Sequence, residues 1–242
     1  MLMRIMKIAL RRETAVPMLA LTFASAISVA LVFARIVWTQ KLRYGFLVGN
    51  LFLAWLPLLF ALLICELYQN GERKSWRFFG LAGAWLLFFP NAPYIFTDLI
   101  HVATSDFRHF WVDMTLVLMC ALTGLVLGFV SLYLMHSLIT RMAGRVAGWI
   151  FIAAVTGLSG FGIYLGRFLR LNSWDVLLRP VKLCHDIGSW AANPFAHSTT
   201  FVFPALFAAF LFIAYVMLYA LTHLPRSSEL AVSVENPKPL AA

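Results

Sequence analysis

The sequence predicts an all-α, polytopic membrane protein. It reads as a bundle of about six transmembrane helices in one integral domain over residues 1–225, with a disordered cytoplasmic tail over 226–242. Three observations carry that reading. Of the 242 residues, 62% are hydrophobic. Only 12% are charged, about half the share usual in soluble domains. Apolar runs long enough to cross a hydrocarbon core of ~30 Å recur from Pro17 to Thr222. No polar stretch of domain size remains, so a water-soluble module is excluded. The net charge of +9 is read as loop anchoring at a membrane surface, with no nucleic acid as partner.

The elements follow in order. The first span runs from Pro17 to Trp38. Arg4, Lys7, Arg11 and Arg12 before it, and Ala24-Ser25-Ala26 within it, resemble a signal peptide and its cleavage site. The apolar run outlasts a signal core of ~7–15 residues, so it is read as a retained helix. The second span runs from Gly45 to Tyr68, with a bend expected at Pro57. The third starts at Trp76 and is broken at Pro90–Pro93, within Phe88-Phe89-Pro90-Asn91-Ala92-Pro93-Tyr94. A helix from Arg77 to Phe89 rises only ~20 Å, short of a crossing. Either the break is buried against protein, or Tyr94 to Val102 completes the span. The fourth span runs from Trp111 to His136, the fifth from Val146 to Phe168 and the sixth from Thr200 to Thr222. Cys65 and Cys120 fall in apolar helices and Cys184 in a polar loop, so no disulfide framework is expected.

Lysines and arginines set the expected orientation. Arg4, Lys7, Arg11, Arg12, Arg73, Lys74, Arg77, Arg141, Arg145, Arg226 and Lys238 gather on one side of six spans. The opposite side has fewer: Arg35, Lys41, Arg43, Arg108, Arg167, Arg170, Arg179 and Lys182. Both termini are therefore expected in the cytoplasm, and Glu66 and His136 are placed at the inner boundary.

The polar residues gather on the other face. Asp98 and His101, three apart, share a helical face, where a carboxylate can orient an imidazole or tune its proton affinity. An interfacial patch, or Asp98 as a helix cap, explains them equally well. His109 and Asp113 are four apart, but an acid in the first turn of the fourth span also suits the positive helix end. Arg167 and Arg170 share a face and suit a phosphate or carboxylate; lipid-headgroup snorkelling is the plainer account. The polar run Asn172-Ser173-Trp174-Asp175 after them favours a site. The 171–198 connection is long and carries an amphipathic pattern suited to the interface. Cys184-His185-Asp186 within it lacks paired ligand spacing, so no metal site is assigned. Gly124-x-x-x-Gly128 signals close helix packing, internal or between subunits.

Two motifs resemble a known family. Phe89-Pro90-Asn91-Ala92-Pro93-Tyr94-Ile95 with Thr97-Asp98-Leu99 is the first. Gly162-Ile163-Tyr164-Leu165-Gly166-Arg167-Phe168-Leu169-Arg170 with Asn172-Ser173-Trp174-Asp175 is the second. Together they resemble an uncharacterised family of bacterial multi-pass membrane proteins, a domain of unknown function, over most of the chain from the second span to the sixth. The resemblance implies a protein of the bacterial cytoplasmic (inner) membrane. It supplies no reaction, substrate or cofactor, and whether the chain is an enzyme is left open.

The residues themselves suggest a site at the extracytoplasmic face that binds or processes an anionic or lipid-linked substrate. Asp98 with His101 is the acid/base candidate. Arg167 and Arg170 hold the anionic group, Asn91 and Tyr94 supply hydrogen bonds from the broken segment, and Asp113, Asn172 and Asp175 complete the lining. A small-solute or ion transporter is the main alternative. A third is a non-catalytic subunit of a membrane complex or homo-oligomer, with Gly124, Gly128, Gly162 and Gly166 at its interface.

Overall fold

The computed structural model describes residues 12–73, 75–103, 109–169, 188 and 198–223. Among these the chain is helical, with no strand. Helix α1 is Arg12–Thr39, α2 is Phe46–Gln69, α3 is Trp76–Phe88 and α4 is the single turn Asn91–Tyr94. A 3-10 segment, Ile95–Val102, follows α4; α5 is Phe110–Ala143, α6 is Arg145–Phe168 and α7 is Ser198–Thr222. Six stretches are long and apolar enough to span a membrane: Ala15–Thr39, Phe46–Gln69, Trp76–Val102, Phe110–Ala143, Arg145–Phe168 and Phe201–Thr222. The α2 helix continues through Pro57. The tail beyond residue 223 and most of the 171–198 connection, including Cys184, His185 and Asp186, lie outside the described residues.

The third span resolves both halves of its sequence puzzle. Its α3 portion stops after ~20 Å, and α4 and the 3-10 segment carry it on to Val102. The 3-10 rise of ~2.0 Å per residue gives that last part ~16 Å, so the crossing is completed. The break is also buried: Ala92, Pro93 and Ile95 are shielded from solvent. Its backbone groups find local partners. The amides of Ala92 and Tyr94 donate to the carbonyls of Phe89 and Pro90, at 3.2 and 3.0 Å. Asn91 turns its side-chain Nδ2 onto the Phe88 carbonyl at 3.0 Å, and the Thr97 hydroxyl donates to the Tyr94 carbonyl at 2.7 Å.

Glycines on two neighbouring helices make room for this segment. A Cβ on Gly124 of α5 would stand 2.8 Å from both the Ala92 carbonyl oxygen and Ile95 Cδ1. One on Gly128 would meet the Ala92 side chain at 3.0 Å, and one on Gly162 of α6 would meet Pro90 at 3.1 Å. The Gly124-x-x-x-Gly128 stripe thus receives the chain's own broken helix, and Gly162 faces the break from the other side.

Helix α5 is the axis of the bundle. It packs against α1, α2, the broken span and α6. Two-thirds of its most apolar window is buried, against 17% for those of α1 and α7, which sit at the periphery. One apolar cluster joins α1, α2, the break and α5 through Val32, Leu51, Ile95 and Leu127. A second joins α2, α3, α5, α6 and α7 through Ile64, Trp85, Phe129, Ile152 and Tyr215. Single hydrogen bonds pin helix to helix within this packing. Trp55 Nε1 donates to Ser25 Oγ at 3.1 Å, and Trp85 Nε1 to Ser131 Oγ at 2.6 Å. In apolar surroundings such bonds contribute about 0.6 kcal/mol each on average.

One placement differs from the sequence reading. His136 is enclosed by neighbouring helices. The α5 helix continues to Ala143, which carries His136 into the bundle, 3% exposed. Its Nδ1 shares a 2.8 Å hydrogen bond with the Tyr215 hydroxyl, and the rings of Trp149 and Tyr219 pack against it.

The packing of the break yields a direct test. Gly124→Ala should destabilise the purified protein by about 1–3 kcal/mol, because the neighbour is backbone and cannot yield easily. Gly157→Ala, which meets open space, should be neutral or slightly stabilising. Equal melting temperatures for the two variants in detergent would show that the break does not sit against α5.

Candidate functional site

Asp98 is the centre of the polar residues at one end of the bundle. The 3-10 segment turns its side chain inward, where it is 2% exposed. Three elements converge on it. Asn50, one turn into α2, donates from Nδ2 to Asp98 Oδ2 at 2.9 Å. Arg167, next to the last residue of α6, donates from Nη1 to Oδ1 at 3.3 Å. His101, one turn further along the same segment, places Nδ1 3.2 Å from the Asp98 carbonyl oxygen and 3.8 Å from Oδ1. The latter is too long for a hydrogen bond and short enough for electrostatic coupling. Exposure rises outward: the Asp98 side chain is 3% accessible, Arg167 19% and His101 41%.

Each placement has a local cause. The break shifts the third span from α to 3-10 winding, so Asp98 follows a three-residue repeat beside Ile95 and faces the protein with it. Burying a carboxylate is costly unless it is hydrogen-bonded and paired. Asn50 and Arg167 meet that requirement from two other helices. The His101 ring packs on Phe46 at 5.2 Å between centroids, and Arg43 Nη2 donates to its carbonyl at 3.2 Å.

A second polar centre lies nearby, built on Asp113. This first-turn acid of α5 is fully buried and held by Arg35 of α1. Arg35 Nε donates to Oδ1 at 2.5 Å and Nη2 to Oδ2 at 3.2 Å, a two-pronged ion pair. The Tyr44 hydroxyl donates to Oδ2 at 3.0 Å. Burial, reinforced by the hydrogen bond to Asp113 and its negative charge, pushes the Tyr44 phenol up from 10.0 to about 12. His109 does not join Asp113; its ring packs edge-on against Trp38 at 5.4 Å. A cleft of about 260 Å³ opens here, lined by Arg35, Lys41, Arg43, Tyr44, His109 and Asp113.

The structure therefore brings Asp98, His101 and Arg167 together. It engages Asp113 separately, with Arg35 and Tyr44. Asn91 serves the broken backbone, as its bond to the Phe88 carbonyl shows. Tyr94 is half-buried against the second apolar cluster. Arg170, Asn172 and Asp175 lie outside the described residues. Among the described residues no three His, Cys, Asp or Glu side chains converge to hold a metal ion.

Sequence reasoning missed Asn50, Arg35 and Tyr44. Asn50 is a lone amide in an otherwise apolar run, and such a group needs a partner. Arg35 lies inside the first apolar run, before Trp38, and that position distinguishes it from a loop cation.

A family model described as "Protein of unknown function (DUF1361)" matches residues 50–219. The chain belongs to the DUF1361 family. The matched DUF1361 region opens at Asn50 and encloses Asp98, His101 and Arg167, together with the glycines that seat the break. Arg35 and Tyr44, which hold Asp113, precede it. No curated protein and no solved structure matches the chain.

The Asp113 centre makes two predictions. Arg35→Ala leaves a buried carboxylate without its cation and should cost about 3–5 kcal/mol of stability; a melting curve in detergent that matches wild type would contradict the pairing. Tyr44 keeps its proton in the folded state up to about pH 12 and releases it near pH 10 when unfolded. Its stabilising contribution is complete below pH 10 and lost as pH rises through about 12. The pH dependence of unfolding between those values should flatten in Tyr44→Phe, and an unchanged alkaline slope would refute it.

Proposed function

We propose that the Asp98 cluster is the working site of this membrane protein, binding an anionic or lipid-linked substrate just beneath the extracytoplasmic headgroups and moving a proton on it. The observation that carries the reading is the exposure gradient. A buried carboxylate, held by Asn50 and Arg167, lies under a half-open imidazole.

The roles follow from position. Asp98 is shut away, so it is the orienting and charge-balancing group, and His101 is the one that meets substrate. Its Nδ1 faces Asp98, so a proton exchanged with substrate passes through Nε2. Arg167, partly accessible, lies close enough to divide its charge between Asp98 and an incoming anion.

The orientation is supported by the charge distribution. Of the cations on this face, Arg35 and Arg167 are held by buried carboxylates, and the opposite loops carry the larger share of the rest. That distribution supports a reading in which this face lies away from the cytoplasm. Transport is less well supported. The polar groups deeper on α5 are each bonded across the bundle: Thr123 with Ser28, Ser131 with Trp85 and His136 with Tyr215.

The test is complementation of a strain that lacks the gene. His101→Gln should leave membrane abundance normal and reduce function by roughly 10²-fold or more. Asp98→Asn and Arg167→Gln should also reduce function; each removes one side of a buried pair and lowers the melting temperature, with folded protein still present in the membrane. Full complementation by His101→Gln would remove the imidazole from the chemistry, and loss of the folded protein in all three would make the cluster a structural pin.

A further inference from the structure

A groove of about 610 Å³ opens between the last turns of α2 and the first turns of α3. It is remote from the Asp98 cluster: Glu66, in its wall, lies ~24 Å along α2 from Asn50. The lining of this single cavity is graded. Glu66, Trp76 and Arg77 stand within a turn of the helix ends at Gln69 and Trp76. Leu63, Gly80 and Leu81 lie about one turn deeper along the same two helices.

Two opposite charges line the groove from adjacent helices, and no ion pair joins them. The Arg77 guanidinium lies over the Trp76 ring, 5.9 Å from its centroid. Among the described residues no carboxylate stands within ion-pair distance of it. Trp76 is 79% exposed, and an exposed tryptophan at the end of a membrane helix sits at headgroup level. The charged end of the groove is thus at the depth of lipid headgroups, and its apolar end at the depth of the first acyl carbons. Gly80 keeps the groove open. A Cβ there would meet nothing within 4 Å, whereas the space beside Gly124 and Gly162 is filled by the chain's own broken span. A fitting occupant offers an anion and a cation to the helix ends and hydrocarbon to the leucines beneath.

We propose that this groove binds one phospholipid with a primary-amine headgroup, its phosphate on Arg77, its ammonium on Glu66 and the start of an acyl chain over Gly80 between Leu63 and Leu81. A planar guanidinium matches phosphate oxygens in pairs. A carboxylate has roughly four acceptor positions, so Glu66 takes a lipid ammonium alongside a protein donor. A choline headgroup has no N–H to donate, and a glycerol headgroup brings no cation to Glu66. An amine headgroup answers both charges. The inference is independent of the Asp98 reading and uses none of its residues.

The experiment is native mass spectrometry of the full-length protein in a non-ionic detergent, titrated with dioleoyl phosphatidylethanolamine or dioleoyl phosphatidylcholine. Phosphatidylethanolamine should bind about fivefold more tightly. Glu66→Gln should lower it to the phosphatidylcholine level, and Arg77→Gln should weaken both lipids by about fivefold. Gly80→Leu, which fills the groove without meeting protein atoms at its Cβ, should weaken both while the protein stays folded. His101→Gln should leave binding unchanged, which separates this proposal from the one above. Equal affinity for the two lipids would overturn it, as would an ethanolamine preference that survives Glu66→Gln or lipid binding that ignores Gly80→Leu. Phosphoethanolamine displacing the lipid at equal concentration would make this a site for the free headgroup and overturn the lipid assignment. A lipid-free dimer that Gly80→Leu converts to monomer would give the groove to a second copy of the chain, with the same consequence.

Discussion

A chain that interrupts its own helix within a membrane span must hide the interruption. The segment Pro90–Pro93 cannot supply the regular donors of a helix, and lipid offers no substitute. Everything else in the bundle is arranged around that constraint. Gly124 and Gly128 lower the surface of α5 and Gly162 that of α6, so the irregular turn sits between two helices. Asn91 and Thr97 satisfy carbonyls in and beside the break. The tight winding that follows carries the span to its far end and turns Asp98 inward.

The two buried acids use one logic with different results. Asp113 is matched by a two-pronged guanidinium and a phenol, an arrangement that closes it off. Asp98 receives an amide and one arm of a guanidinium, with an imidazole at longer range. Its surroundings are looser and more open to the membrane surface. The first arrangement stabilises the junction of α1 and α5. The second leaves an imidazole half-open and a guanidinium partly accessible, which is why the functional reading rests on Asp98. The two are joined through Arg43, whose guanidinium lines the cleft and donates to the His101 carbonyl.

Much of the architecture was legible in the residues because membrane burial leaves a one-dimensional trace. Six apolar runs gave six spans, and Pro90 with Pro93 marked the break. The Asp98–Arg167 neighbourhood could be suspected because odd-numbered connections return the chain to one face. Partner choice could not be read in the same way. Arg35 looked like a loop cation because its acid is far along the sequence, and Asn50 drew no notice as one amide in a leucine-rich run. His136 looked interfacial because the hydropathy pattern does not show that α5 continues for two more turns. The glycine stripe was legible as a packing signal, but its partner, the broken span, is a matter of tertiary geometry.

The most direct test of the account is a double-mutant cycle between Asp98→Asn and Arg167→Gln, read as unfolding free energy in mixed micelles. Contact between the two side chains predicts non-additivity of about 0.5–3 kcal/mol, with the second substitution costing less once the first is made. Strict additivity would mean that the carboxylate of the broken span and the guanidinium of α6 do not meet.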